Sequence, residues 1–473
     1  MEQENAVESK RLASKPSIDP NLLDPSKSMW KPIIVFLIPM MLSNFLQSIS
    51  GIISSAIIGR GLGEISLAAV STILPVNFFL ISLVIGLSSG SLVLIGQAYG
   101  AGKMDDLRKT VDTTLKFSFL LGVVMALIGC IWIDAILQWI SVPPTVQPEA
   151  KQFGLMIFAS FPLLFVYISY TTILRGTGDS KTPFWFLVIS TVLTIIFTPI
   201  LTFGWLGLPA LGVAGAGLSS ILATLISFVL LMIYLKYTNH PLALSKTFWQ
   251  SLRIDIVILK LLLKIGFPSG IQMIAVSLSE IAVVFLVNSH GEQATAAYGA
   301  VLQVLHFVQM PMLSLGMAAG VFASQFIGAN ASERLPALLK HTLIMNYVLG
   351  IVLVGVIYLA SDWVLLGFLE DPATIAIAKE VLMAVLWALM LFGHGMILSS
   401  LMRGTGTVLI PTVITIGCIW LLLVPVAALL SNPMGLLGIW LAYPISDAAM
   451  LLILYLYYRF VWKRKQHQSV FAN

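Results

Sequence analysis

The sequence predicts an all-α integral membrane protein, with twelve transmembrane helices in two parallel six-helix repeats. Three observations carry this expectation. The chain has 473 residues, of which 58% are hydrophobic and 10% charged, whereas soluble domains carry about 25% charged residues. Apolar runs long enough to cross a bilayer, about 20 residues each, recur along almost its whole length. The second half also repeats motifs of the first at one fixed spacing.

The first 31 residues are polar and mixed in charge, with SKPSIDPNLLDPSKS typical of a disordered tail. No basic segment followed by an apolar core and a small-residue cleavage site marks a signal peptide. The spans fall near 32–58, 66–98, 113–140, 150–174, 183–206, 209–236, 259–288, 294–328, 337–367, 374–402, 409–430 and 433–460. Spans 2 and 8 exceed what a bilayer needs, which implies tilt or kinking, and Pro75 and Pro311 lie inside them, as Pro39 and Pro268 lie in spans 1 and 7. The domain plan is therefore a tail over 1–31, a first lobe over 32–236, a cytoplasmic connection over 237–258, a second lobe over 259–460 and a basic tail over 461–473.

Of 26 lysines and arginines, twenty-two sit in the two tails, the even-numbered loops and their flanks. By the positive-inside rule both termini are then cytoplasmic, in a multi-pass protein of the inner (cytoplasmic) membrane. This dispersal also argues against a nucleic-acid partner. Cys130 and Cys418 both lie in apolar runs with no metal-ligand spacing.

Arg175-Gly176-Thr177-Gly178 recurs as Arg403-Gly404-Thr405-Gly406, 228 residues later. The same spacing relates Glu64 to Glu292, Gln97 to Gln325, Gly100-Ala101 to Gly328-Ala329 and Pro183 to Pro411. Each copy holds an even number of spans, so both enter the membrane from the same side and are related by an axis along its normal. Secondary transporters built this way rock two halves about a central site.

The chemistry-bearing stretch is Leu259–Asn288, which spans the membrane yet carries Glu280. A charge at bilayer depth costs about 2.5–3.5 kcal/mol on insertion scales. Ser277, Met273 and Ser269 lie close to its helical face with Gln272 beside them, a half-polar stripe suited to a water-filled cavity. The competing reading is that Glu280 pairs with a neighbouring helix and only holds the bundle together. Asp447 in span 12 is a second intramembrane acid, facing either a cavity or a helix–helix hydrogen bond. His306 and His394 are the other protonatable groups of the second-half spans, either packing residues or a proton-sensitive cluster with Glu280. Met273 and Met310, among several methionines of spans 7, 8 and 10, offer adaptable contacts, with Gln272 and Gln303 as orienting donors; simple packing is the alternative for each. Arg175, Asp179 and Arg403 are expected in cytoplasmic loops that act as gate or hinge.

These residues resemble the multidrug and toxic compound extrusion (MATE) family across nearly everything after the first tail. The carriers are IPMMLSNFLQSISGIISSAIIGRGLG, GQAYGAGKMDDLRK, LRGTGDSKTP, LGVAGAGLSS, the Glu280 stretch, SQFIGANASERLPALL and LMRGTGTVLIP. The resemblance implies V-shaped lobes around a central cavity and export of amphipathic, often cationic compounds driven by protons or sodium, without ATP. No GxxxxGK[ST] stretch occurs, so no cofactor is expected beyond the coupling ion. The partners are small organic substrates and the bilayer, the protein acting as a monomer and not as an enzyme. Where the family often carries an acid in span 1 and an Asn–acid pair in span 5, this chain has Ser54, Thr194 and Thr198. Glu280 occupies the position of a glutamate found in span 7 of some members. The family's span 10 acid is missing, with Phe392 and His394 in that region. The favoured mechanism is exchange at Glu280, which attracts an organic cation when ionised and releases it when protonated. A lipid-linked oligosaccharide flippase is the alternative, followed by a membrane-embedded enzyme and a passive channel.

Overall fold

The computed structural model describes residues 20–24, 26–244 and 254–471. Helix is the only regular secondary structure among them, as expected where no water is present to satisfy a backbone donor or acceptor. The first nine spans are α1 (Trp30–Leu62), α2 (Glu64–Gly100), α3 (Met104–Trp139), α4 (Gln147–Gly176), α5 (Lys181–Phe203), α6 (Gly212–Tyr237), α7 (Ile256–Asn288), α8 (Glu292–Gly328) and α9 (Leu335–Leu359). α10 (Pro372–Gly404) follows. The last helical stretch, Leu409–Arg464, is continuous by hydrogen bonding but has 56 residues, about 84 Å at 1.5 Å per residue. It turns back at Gly435, where φ is +59° and ψ −140°, a conformation open to glycine. The arms before and after Gly435 are α11 and α12, which completes twelve crossings. α1, α2, α7 and α8 run on through Pro39, Pro75, Pro268 and Pro311, so the sharp break lies at the glycine. Asp255 starts α7 by accepting from Val257 N and Ile258 N, and Asp371 does the same for α10 through Ala373 N and Thr374 N.

The two lobes meet along α2 and α8, and glycines let their backbones touch. A Cβ on Gly86 would lie 2.2 Å from Gly270 Cα, one on Gly100 2.1 Å from Gln325 O, and one on Gly328 2.1 Å from Gln97 O. The seam is held by a reciprocal pair of bonds. Gln97 Nε2 donates to Gly404 O at 3.2 Å, and Gln325 Nε2 donates to Gly176 O at 3.0 Å. Both glutamine side chains are buried, where an unmade hydrogen bond costs about 1–3 kcal/mol. Motifs that the repeat spacing singled out separately thus meet across the lobe boundary.

The same faces of α2 and α8 change character along their length. Near the chain termini every residue from Gly86 to Ala98 is buried or half-buried, and nearly all from Ser314 to Gly328 are buried. Towards the other end those faces are open, at Ala68, Ser71, Pro75 and Phe78 on α2 and at Ala296, Gly299, Gln303 and His306 on α8. The seam therefore parts into a cleft away from the termini. Asn44 Nδ2 donates to Ser314 Oγ at 3.1 Å, and Phe45 stacks on Phe307 at 6.1 Å, where the cleft begins.

Packing links the two halves at the start of each. The beginning of α1, Met29 to Met40, lies in the hydrophobic core of the second half with Leu315, Phe322 and Phe326, and the beginning of α7 lies against Leu87 and Leu94 of α2. The end of the expected disordered tail is ordered. Pro20–Leu23 is helical, and the buried Arg334 donates to Leu22 O and Lys27 O. The rest of that tail, residues 1–19 and 25, lies outside the described residues, as do 245–253 of the connection and 472–473 of the basic tail.

Candidate functional site

α7 shows which way Glu280 points. Its most exposed large residues, Phe267, Ile271, Leu278, Ile281 and Phe285, recur every three to seven residues on one face, which is the lipid-facing stripe of a membrane helix. The opposite face is buried through Ser279, Val283 and Val287, the last two at 0% exposure. Glu280 falls on this inner side and is nevertheless exposed. Exposure on an inward face requires open space inside the bundle.

An aromatic cluster packs near that space. Tyr298 of α8 and Tyr443 of α12 lie within electrostatic reach of Glu280. Their hydroxyls are 3.4 Å apart, and the fully buried Trp440 sits beside both, with ring centroids 4.8 Å from Tyr298 and 5.2 Å from Tyr443. Asp447 follows Tyr443 by one helical turn and is also within its electrostatic reach. Two carboxylates, one from α7 and one from α12, thus act on one tyrosine. Neither forms a hydrogen bond or ion pair with any described residue, so the pairing alternative for Glu280 has no partner there. A carboxylate on an inward face, near tyrosines and without a countercharge among the described residues, is a setting that attracts an organic cation. Tyr298, Trp440 and Tyr443 are absent from the sequence-based set. The Tyr443–Asp447 spacing was the only signal for any of them.

The other candidates take different places. His394 Nδ1 is 2.8 Å from the Tyr347 hydroxyl of α9, with the rings edge to face. His306 and Gln303 lie on the open cleft stripe of α8, with the half-buried Met310 one turn further on. No interaction joins either histidine to Glu280 among the described residues. Met273, Ser277 and Phe392 are half-buried. Gln272 accepts a hydrogen bond from Arg403 Nη2, so an expected cavity residue and an expected gate residue touch. Arg175 and Arg403 belong to the last helical turns of α4 and α10, a correction to their expected place in loops. Both are turned inward with Nε buried and without a partner among the described residues. Asp179 accepts from Lys181 N and Thr182 N, both at 3.0 Å, and so starts α5. In the first lobe Thr194 Oγ1 donates to Ser190 O at 2.9 Å, and Thr198 Oγ1 to Thr194 O at 2.7 Å, with Ser219 Oγ 2.9 Å away. Ser54 is half-buried on α1.

The Tyr347–His394 bond gives a first prediction. Tyr347→Phe is expected to lower unfolding stability by about 1 kcal/mol, the usual net worth of one hydrogen bond, and to leave transport unchanged. Thermal unfolding in detergent and efflux assays on the same preparation check the two parts.

Twelve crossings, two repeated lobes, a cleft between them and, among the described residues, acids without partners inside one lobe fit a membrane transporter. The MatE family model matches residues 39–200 and 268–429, one match in each repeat. The chain belongs to this family, that of the MATE transporters. It is 47% identical to the probable multidrug resistance protein YoeA of Bacillus subtilis, over 93% of this chain and 95% of the relative. A FAD transporter of Shewanella oneidensis is 23% identical over 82% of this chain and 85% of its own length. Among solved structures, MATE in the bent conformation is similar with a TM-score of 0.85 at 21% identity, covering 93% of this chain and 96% of that one. An outward-facing MATE family transporter of the MOP superfamily gives 0.83 at 22% identity, over 93% and 96%.

Proposed function

We propose that this protein exports amphipathic organic cations, including drugs, in exchange for protons, with Glu280 as the group for which the two compete. The observation that carries this reading is an exposed carboxylate on the inward face of α7, without a partner among the described residues and within electrostatic reach of Tyr298 and Tyr443. The ionised acid and the ring faces hold the cation, and the apolar residues around them tolerate varied shapes. Protonation removes the charge, and with it most of the attraction. Because one site serves both positive guests, entry of one expels the other, and rocking of the lobes turns that competition into transport. Asp447, one helical turn beyond Tyr443, is the second seat for a proton or for the cation. The relatives named as multidrug resistance proteins support a broad cargo. The loop charges support cytoplasmic termini, and on this reading the protein acts as a monomer.

The experiment is efflux of a cationic dye from oriented vesicles, scanned separately over pH and sodium. Proton dependence without a sodium requirement supports the reading. Dependence on sodium alone contradicts it and returns attention to Ser54, Thr194 and Thr198 in the first lobe. Tyr443→Leu is expected to weaken binding of the dye about tenfold or more, since a desolvated cation–ring contact is worth about 2 kcal/mol. Titration of purified protein by fluorescence reads that change.

Anionic cargo is the second reading, favoured by the inward Arg175 and Arg403 and by the FAD-transporting relative. Transport of an anionic dinucleotide that is lost in Arg403→Gln and kept in Glu280→Gln would favour it.

A further inference from the structure

The described residues after α12 do not trail away from it. Trp462 is buried, and its ring stacks between Tyr458 at 5.2 Å and His467 at 4.1 Å. His467 Nε2 also lies 3.1 Å from Trp462 O. This fold-back returns the chain to the seam between the lobes. There Val470 N donates to Gln97 Oε1 at 2.9 Å, and Ser469 Oγ donates to the same oxygen at 3.4 Å. Lys103 Nζ of the α2–α3 turn donates to Phe471 O. The Phe471 side chain packs on the cluster that joins Leu87 and Leu94 of α2 to Leu262 and Ile265 of α7, and on the cluster of Leu107 and Val111 of α3.

Gln97 is thereby the meeting point of three elements. Its amide nitrogen crosses to Gly404 in the other lobe, while its oxygen is held by the end of the chain. Parting the lobes at this end must separate Gln97 from Gly404 and α2 from α7, and both separations disturb the seat of Phe471. We propose that Ser469–Phe471 is a bolt on the closed end of the transporter: seated, it holds the lobes together there, and it must withdraw before that end opens. Its position makes the rate of alternation sensitive to anything that competes for the last residues. Glu280 takes no part in this device, so the proposal stands apart from the identity of the cargo.

The test uses spin labels on Lys181→Cys in one lobe and Lys340→Cys in the other, both exposed near the closed end, with Cys130 and Cys418 replaced by alanine. Distance distributions are compared for the full chain, for a chain ending at Gln468, and for Val470→Pro, which removes the N–H that Gln97 accepts and fixes φ there. The open-to-closed ratio is expected to rise at least about tenfold in the shortened chain, which loses both the half-buried Phe471 ring and the hydrogen bonds, and to a lesser extent in Val470→Pro. Unchanged distributions in Val470→Pro, with its unfolding midpoint equal to that of the full chain, would overturn the proposal even if the shortened chain proved unstable. A rise in both variants, with dye binding to the Glu280 site intact, confirms it.

Discussion

Vesicles carrying Glu280→Gln are expected to lose proton-driven export of organic cations altogether. The substitution keeps the size of the side chain and removes its charge, and with it the difference between the two states that the proposed exchange uses. A unit charge about 4 Å from a cation at an effective dielectric of about 20 contributes about 4 kcal/mol, so affinity for a cationic dye should fall by at least about a hundredfold. The protein should still fold, because no described residue relies on Glu280 for a hydrogen bond or ion pair. Wild-type dye affinity should weaken as pH falls and the carboxylate is neutralised, while the variant should be indifferent to pH. Efflux and dye titration over a range of pH on both proteins measure this. A variant that still transports with a pH dependence would move the coupling to Asp447.

Gly328→Val should have an effect of similar size by another route. The added Cβ would begin 2.1 Å from Gln97 O and 2.9 Å from Ala101 N, where backbone cannot yield without moving a whole helix. Interiors packed at this density transmit such an insertion as strain, typically about 1–3 kcal/mol and more where only backbone is available to move. The closed end should no longer seal, leaving a protein that binds dye but cannot complete a cycle. Distance measurements between the two lobes should show loss of the closed population, and efflux should be abolished with dye affinity preserved. Gly102→Ala, at a position where nothing lies within 4 Å of the added atom, is the control for surface substitution, although its φ of +66° brings a small backbone cost of its own.

How far the residues alone foretold these results depends on what each feature needs. The twelve crossings follow from apolar runs, because a membrane helix must be long and apolar all round to its lipid. Span 2 and span 8 read as over-long, and the structure gives the reason. Their terminal halves form the seam and their other halves line the cleft. The repeat spacing paired Gln97 with Gln325 and Gly176 with Gly404, but not the crossed contacts between them. Identical motifs look the same whether they touch within a lobe or across it.

The site was half legible. Glu280 stands out because a carboxylate in an apolar run is costly wherever it is, and its cost does not depend on knowing the neighbours. Tyr298, Trp440 and Tyr443 carry no such cost, and aromatic residues in membrane helices are common as packing. Only the relative rotation of α7, α8 and α12 makes them one cluster. His306 shows the opposite limit. It shares the second lobe with Glu280 in sequence, but the rotation of α8 turns it to the cleft between the lobes. The arginines read as loop residues because glycines follow them, yet the helices continue far enough to draw both guanidinium groups inward. Residues near the end of the chain read as a basic tail, since Trp462 and Phe471 are too widely spaced to show a periodic pattern.

The central claim is that a proton and an organic cation displace one another at a single carboxylate. Proton release on cation binding tests it most directly, using purified protein in weakly buffered detergent solution with a pH indicator. Addition of a saturating cationic dye should release protons from wild type, up to about one per protein bound, at a pH where Glu280 is protonated in the free protein, and none from Glu280→Gln. Tight dye binding by wild type with no proton release at any pH across the transport range would contradict the account.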